Sequence, residues 1–525
     1  MQKELEWLEK QPSSQVTNKN LRETKEKLNC WLDKENAMWK QRARLNWFQG
    51  GDRNTGFFHA KASSRFKKNM IEGVCDANGV WREEGDFIEM VFVDYYAELV
   101  KSLNPSDFSE VVEAVQPKVS ESMNARLTRD FQAKEVHRAL KQMYSLKAPG
   151  PDGMPPLFFQ HFWPVVGRMV TKTVLGFLNS RIIPPKFNDT HIVLIPKSKN
   201  PRNVTKYRPI SLCNMVYKLA SKTLANRLRN FLPSIISESQ SAFVNGMLIT
   251  DNVLVTFETM HHINQKKGGA KGEMALKLDM SKAYDRVEWR CLDKIMEKLG
   301  FNSKWRNLML QCISTVTYSI RINGKQCGQI SPTHDLRQGD PLSPFLFLLC
   351  AEGLSAMIKK AVDRGKMEGI SICRGGPRIS HIFFADDSIV FYKASTEECD
   401  ALQRILGVYE NSSGQQLNRS KTSLFFNPNT SESTKHEIKN RFEAQVIKQH
   451  EKYLGLPSLI GRSKKKSFRE IKEKLAGWKE KLLTKAGKEV LIKAVAQAIP
   501  TYAMSCFKIP NSLCDEMSSL IKNLW

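Results

Sequence analysis

Two adjacent acids inside an apolar run, Ser380-His-Ile-Phe-Phe-Ala-Asp-Asp-Ser-Ile-Val-Phe-Tyr-Lys393, constrain this chain more than any other stretch. Ile382–Phe384 and Ile389–Tyr392 are β-branched and aromatic, which predicts two short strands with Ala385–Ser388 as the tight connection. Asp386 and Asp387 at the tip of a buried hairpin would repel each other and lose water. Such a pair is stable only when protonated, hydrogen-bonded or bound to cations. An ordinary polar turn accounts for the pair in isolation, because Asp is common in turns. A third acid upstream shifts the balance. Ala275–Leu278 reads as a strand ending at Asp279, at the kind of strand end where sites on open sheets gather. A helix is expected from about Ser281, with Tyr284 at its start, and with Asp285 and Glu288 on it as structural or surface acids.

The charge balance points to a partner. The 525 residues carry a net charge of +26, which argues for a polyanion. The length suits roughly two to four domains, and 41% hydrophobic residues can fill a large core. The eleven cysteines are scattered without a CxxC pair, so neither a zinc site nor a disulfide framework is signalled, and reduced thiols inside the cell fit best. Met1-Gln-Lys-Glu-Leu-Glu-Trp7 lacks an apolar core, so the chain does not read as secreted. The apolar run Phe345–Ala351 is too short to span a bilayer, so no membrane partner is expected.

Other segments carry candidate contacts. Trp31, Trp39 and Trp47 recur every eight residues on a charged, helical N-terminal stretch, a spacing that anchors one face to a core. Residues His191–Lys197 and Tyr207–Leu212 read as a strand-turn-strand bearing Lys197 and Arg208, two cations able to close over a triphosphate or simply to solvate a surface. Leu336-Arg-Gln-Gly-Asp-Pro-Leu-Ser-Pro344 is a loop that launches an apolar helix, Phe345–Met357, with Pro344 in its first turn. Residues 461–493 hold twelve Lys/Arg against four Glu, with Phe468, Ile471, Leu475, Trp478 and Leu482 at helical spacing. That helix face is either solvated or set against a nucleic-acid duplex.

Asp279 at a strand end and Asp386–Asp387 on a hairpin could converge on one antiparallel sheet. Three such acids can hold two divalent cations about 3.5–4 Å apart, and hard carboxylate oxygens select Mg²⁺ or Mn²⁺ over zinc. That equipment suits phosphoryl or nucleotidyl transfer.

The ordered series Lys147–Gly153 (KAPGPDG), Tyr207–Leu212 (YRPISL), Gln240–Phe243 (QSAF), Leu278–Trp289 (LDMSKAYDRVEW), Leu336–Pro344 (LRQGDPLSP), Phe384–Asp387 (FADD) and Tyr453–Pro457 (YLGLP) resembles the reverse transcriptases of non-LTR retrotransposons, especially plant LINE-1-like elements. The resemblance covers roughly residues 30 to 525. It implies an α+β right-hand polymerase with an antiparallel palm sheet. The expected division is a basic helical N-terminal extension (1–140), fingers (141–270), a palm (271–448) and a basic helical thumb (449–525). The implied metal ligands are Asp279, Asp386 and Asp387, with a backbone carbonyl from Met280. Lys197 and Arg208 match the cations on the incoming triphosphate, and Tyr284 matches the aromatic gate against a ribose 2′-hydroxyl. Gln338 and Gly339 match the loop bordering the nucleotide, Lys421 the lysine that assists pyrophosphate departure, and Tyr453, Leu454 and Gly455 the primer grip.

The implied reaction is Mg²⁺- or Mn²⁺-dependent addition of dNTPs to a DNA primer on an RNA template. Nuclear residence follows from the family likeness alone, with the cytoplasm the other compartment. His334-Asp335 depart from the pattern of plant relatives, which usually end this pair in Gly, and an acid beside the template would weaken its binding. The endonuclease and Cys/His or RNase H regions usual in the family's polyproteins do not occur in these residues. The expectation is therefore part of an element, served by an endonuclease in trans. Two rivals remain open: a decayed or domesticated nucleic-acid-binding protein without catalysis, and an RNA-templated RNA polymerase that Tyr284 disfavours.

Overall fold

The apolar runs around the three acids form strands in the computed structural model, which describes residues 1–43, 55–76, 78–266, 272–447, 452–459, 468–476 and 483–525. In chain order, the strands that position the site are β1 (Asp189–Pro196), β2 (Tyr207–Cys213), β3 (Glu273–Leu278), β4 (Thr317–Ile322), β5 (Lys325–Ile330), β6 (His381–Phe384), β7 (Asp387–Lys393), β8 (Ser423–Phe426) and β9 (Gln445–Val446). They make a five-stranded sheet ordered β6-β7-β3-β8-β9 and a four-stranded sheet ordered β2-β1-β4-β5. The first is antiparallel except at its β8–β9 edge, and the second is antiparallel except where β1 meets β4.

Both faces of the five-stranded sheet are covered, which is why its strands read as unbroken apolar runs instead of alternating ones. Met274, Leu276, Leu278, Val390, Tyr392 and Leu424 pack into the main core, together with the almost wholly buried helix Ser343–Asp363. Ala275, Ile389, Phe391 and Phe425 pack into a second cluster with Met260 and Ile263 of helix Ile249–Gln265 and with Tyr453. Removing a buried leucine or phenylalanine from either face would cost about 2–5 kcal/mol.

The described residues divide into two units, one of Ile71–Gly461 and one of Met1–Met70 with Arg462–Trp525. This division departs from the expected breaks at residues 140, 270 and 448. The reason is packing. Ile88, Phe92 and Tyr96 of helix Gly85–Leu99 share a core with Ile192, Tyr207, Tyr318 and Ile320 of the four-stranded sheet. In the smaller unit, Ala43, Phe57 and Phe58 from one end of the chain share a core with Leu483 and Leu491 from the other. The tryptophan expectation divides: Trp39 packs against that core, Trp31 is 57% exposed, and Trp47 lies outside the described residues. Phe468 is buried, whereas Trp478 and Leu482 lie outside the described residues. Among the described residues no helix is long and apolar enough to cross a membrane.

Candidate active site

The β6–β7 hairpin is tighter than its sequence suggested. Phe384 pairs with Asp387, so Asp387 belongs to the strand and the turn consists of Ala385 and Asp386 alone. Ala385 has φ +54° while Asp386 has a negative φ, the pattern of a type II′ turn, whose first central position normally takes glycine. Holding an L-residue there costs about 1–2 kcal/mol. Gln240 offsets that cost. Its Oε1 accepts the Ala385 N–H at 3.0 Å, and its Nε2 donates to the Ala385 carbonyl at 3.5 Å. Ser241 N–H and Asn252 Nδ2 both donate to the Phe383 carbonyl, at 3.2 and 3.0 Å. Gln240 opens the QSAF motif, but nothing in the sequence ties it to this turn.

Register then brings the third acid to the pair. Ser388 of β7 lies opposite Leu278 of β3 in antiparallel pairing. Asp387 immediately precedes Ser388 and Asp279 immediately follows Leu278, so both leave the sheet at the same end. The carboxyls of Asp386 and Asp387 are pushed above the usual range. Desolvation in the cleft is the main cause for both, and the charge of Asp279 adds to it in each. Arg208 pulls Asp386 partly back, and Lys277 does so for Asp387. Lys421 Nζ stands 3.5 Å from Asp279 Oδ2, and the Asn418 N–H donates to the Asp279 carbonyl at 2.7 Å.

The helix expected from Ser281 starts instead at Trp289, because Met280–Ser281 is a short strand paired with Gln416–Leu417. Asp285 and Glu288 therefore lie before the helix, and both are buried instead of on the surface. Tyr284 stacks on Phe347 with ring centroids 4.6 Å apart, and its hydroxyl pKa is raised by burial and by Asp386.

The donor set consists of three hard carboxylates that repel each other, which fits a divalent cation and not a soft metal. Among the described residues, no group of three or more His, Cys, Asp or Glu closes to coordinating geometry.

Cations face these acids from the other sheet. Lys197 follows β1, with its Nζ donating to the Thr205 carbonyl at 3.0 Å, and Arg208 is an exposed residue of β2 opposite Ile195. The Lys197 ammonium is pulled below its usual pKa by desolvation first, then by Lys282, Arg208 and Lys421. These cations thus sense one another across one cleft. Lys282, at φ +54°, was not among the expected site residues.

The loop bearing Gln338 and Gly339 docks on β2, where the Ser211 N–H donates to the Gln338 carbonyl at 2.8 Å. Gly339 has φ +116°, and a Cβ there would stand 3.0 Å from the Ser211 carbonyl. Gln338 Nε2 donates to Asp285 Oδ1 at 3.2 Å. The loop is pinned by Arg337, whose buried guanidinium pairs with Asp340 at 2.8 Å and donates to the Cys312 carbonyl at 2.7 Å.

Two further expectations meet the structure here. Leu454 (φ +50°) and Gly455 (φ +82°) form the two-residue turn of a hairpin in which Tyr453 pairs with Leu456, the type I′ pattern. Lys277 Nζ of β3 donates to the Lys452 carbonyl at 2.8 Å, which ties this hairpin to the strand that ends at Asp279. Asp335, expected beside the template, is instead buried. Its Oδ2 accepts the Tyr318 hydroxyl at 2.7 Å, and desolvation raises its carboxyl to about 7. It holds φ +140°, where glycine is favoured. His334 is also buried, between Glu288 (3.0 Å) and the Leu99 carbonyl (2.9 Å).

The family model described as reverse transcriptase (RNA-dependent DNA polymerase) matches residues 195–458, half of the chain. The chain is 25% identical to the transposon TX1 uncharacterized 149 kDa protein of Xenopus laevis, over 73% of this chain and 29% of that protein. It is 26% identical to a retrovirus-related Pol polyprotein from the type-1 retrotransposable element R2 of Popillia japonica, over 50% of this chain and 35% of the relative. An uncharacterized mitochondrial protein of Arabidopsis thaliana is 49% identical over 67 residues, which is 13% of this chain and 55% of that protein. The chain thus spans about a third of the length of the two retroelement relatives. With its motifs in order, its three acids at one sheet end and half its length matched, this chain belongs to the reverse transcriptase (RNA-dependent DNA polymerase) family, with relatives of the non-LTR retrotransposon type.

Proposed function

We propose that this chain is an RNA-directed DNA polymerase that adds dNTPs to the 3′-hydroxyl of a DNA primer paired with an RNA template. The observation that carries the reading is the register of β7 on β3, which sets Asp279 at the same sheet end as Asp387. In this reading the five-stranded sheet is the palm, the four-stranded sheet belongs to the fingers, and the basic C-terminal helices form the thumb. Asp279, Asp386 and Asp387, with the Met280 carbonyl, would hold Mg²⁺ or Mn²⁺. When bound, such ions lower the pKa of an attacking hydroxyl and stabilise a leaving oxygen.

The chain's own residues do the rest. Lys197 and Arg208 neutralise the triphosphate and orient it over the acids. Lys421, whose Nζ stands 3.5 Å from Asp279 Oδ2, would give a proton to the departing pyrophosphate. Tyr284, fixed flat on Phe347, walls off the space that a ribose 2′-hydroxyl would need. Gln338 and Gly339 border the nucleotide, and the Tyr453–Gly455 hairpin supports the primer end. The finer assignment to a LINE-1-like element of plants is supported by the motif series and by the short Arabidopsis match, while nuclear action and an endonuclease supplied in trans follow from the family likeness alone.

Primer extension by the purified chain, with dNTPs on an RNA template, tests this. Incorporation that requires Mg²⁺ or Mn²⁺ supports it, and no incorporation by the folded protein overturns it. A second reading is binding without catalysis, for which the net charge of +26 suffices and the three acids are not needed. It predicts duplex binding with no extension in the same assay.

A further inference from the structure

The loop that clamps the catalytic hairpin also displays an aromatic ring. Phe243 holds φ +58°, a conformation that a bulky residue seldom adopts, and it is 51% exposed. Its neighbours Ala242 and Val244 are both buried, at 1% and 6% exposure. The loop therefore cannot turn Phe243 inward without pulling one of them out. Nor is the loop free to drift. Gln240 holds the Ala385 peptide, the Ser241 hydroxyl donates to Asn252 Oδ1 at 2.7 Å, and Asn252 in turn donates to the Phe383 carbonyl. An exposed aromatic is common enough, but one held out by strained backbone, on a segment bonded to the Asp386 turn, is a built feature.

We infer that Phe243 is a stacking platform for an unpaired base of the RNA template, next to the point of nucleotide addition. The inference rests on the polymerase reading. A rigid ring beside the catalytic hairpin, in a chain of net charge +26, suits a nucleic-acid base more than an apolar protein surface. Among the strands such an enzyme holds, the template ahead of the primer end has unpaired bases with free faces, and aromatic rings are what stack on them. Stacking tolerates any base, as a polymerase that copies varied sequence requires.

The test uses the full chain and a DNA primer annealed to an RNA template with a single-stranded 5′ overhang. 2-Aminopurine replaces one overhang base at a time, and its fluorescence reports stacking. The wild type is expected to quench the probe most strongly at one position. Phe243→Ala should lose that quench and bind the overhang duplex roughly tenfold more weakly, the order that base–aromatic stacking supplies. Phe243→Trp should keep both properties. Phe243→Leu, which keeps an apolar side chain and its packing but has no π face, should behave as the Ala variant does, so a folding defect in Phe243→Ala does not decide the result. Binding of a blunt duplex should be the same in all four proteins. If the wild type binds and extends the primer while Phe243→Ala and Phe243→Leu quench and bind as it does, the platform is overturned and the polymerase reading stands. If the wild type neither binds nor extends, both fall.

Discussion

Ala385 occupies a backbone conformation that costs an L-residue about 1–2 kcal/mol, and two hydrogen bonds from Gln240 hold it there. Strain of this kind persists where surrounding structure over-determines it. Its effect is to fix the turn that carries Asp386 and Asp387 at the sheet end where β3 reaches Asp279. Gln240→Ala removes both bonds, each worth about 1 kcal/mol. The expected outcome is a fall of roughly tenfold in kcat for primer extension with affinity for a blunt duplex nearly unchanged, because the turn under the acids loosens while the contacts to paired phosphates stay. Steady-state kinetics beside a duplex-binding titration check this, and equal losses in both would refute it. Asp386→Asn goes further. Extension should drop by at least about a thousandfold, in line with losses seen when a preorganised charge is removed, while RNA binding persists. An active Asp386→Asn variant would show that the ligands are assigned wrongly.

Elements differed in how much their sequence disclosed. β3 and β7 could be read because a short apolar run that stops abruptly at an acid fits a buried strand and little else, and burial on both faces made the runs unbroken. The helix expected from Ser281 failed because Met280–Ser281 pairs with Gln416–Leu417, more than a hundred residues away, and local periodicity carries no trace of such a partner. The Gln240 clamp was hidden for the same reason. Asp335 was misplaced because an acid in a loop reads as solvent-facing, whereas the fold buries it against Tyr318.

That burial has a consequence for stability. The Asp335 carboxyl is raised from 3.8 to about 7, chiefly by desolvation, with Asp285 adding to the rise. The folded state therefore binds the proton more tightly than the unfolded state does. Stability from this group is full below about pH 4 and declines as pH rises to about 7, by up to about 1.4 kcal/mol per pH unit. Asp335→Asn, which keeps an acceptor for Tyr318, should melt higher than the wild type at pH 8 and close to it at pH 4. Thermal melts at the two pH values check the sign, and a difference that is larger at pH 4 would contradict the assignment.

The whole chain has a net charge of +26 and two packing units, the smaller built from both chain ends. Composition disclosed the charge; it could not disclose that Phe57 and Phe58 share a core with Leu483 and Leu491, since no local pattern links residues some four hundred positions apart. Deleting residues 1–70 should therefore leave the C-terminal helices without half of their core. Limited proteolysis is expected to cut the deletion protein within residues 483–525 while the region 71–461 resists, and equal resistance throughout would refute the shared core.

The charge makes its own prediction. A duplex held mainly through phosphate contacts releases one condensed counterion for nearly every phosphate neutralised, so log K falls linearly with log salt at a slope of about −0.9 per contact on B-form DNA. If six to ten phosphates are engaged, affinity for an RNA–DNA duplex should drop by roughly 10³- to 10⁵-fold between 50 and 200 mM salt. Each basic residue that touches a phosphate should lower the slope by about one when neutralised. Arg208→Gln is expected to leave that slope unchanged, because Arg208 acts on the Asp386 carboxyl and is proposed to hold the triphosphate instead of the duplex. Its defect should appear as a raised KM for dNTP. Titrating duplex binding against salt for both proteins checks the assignment, and a shallower slope for Arg208→Gln would move that arginine from the nucleotide to the duplex.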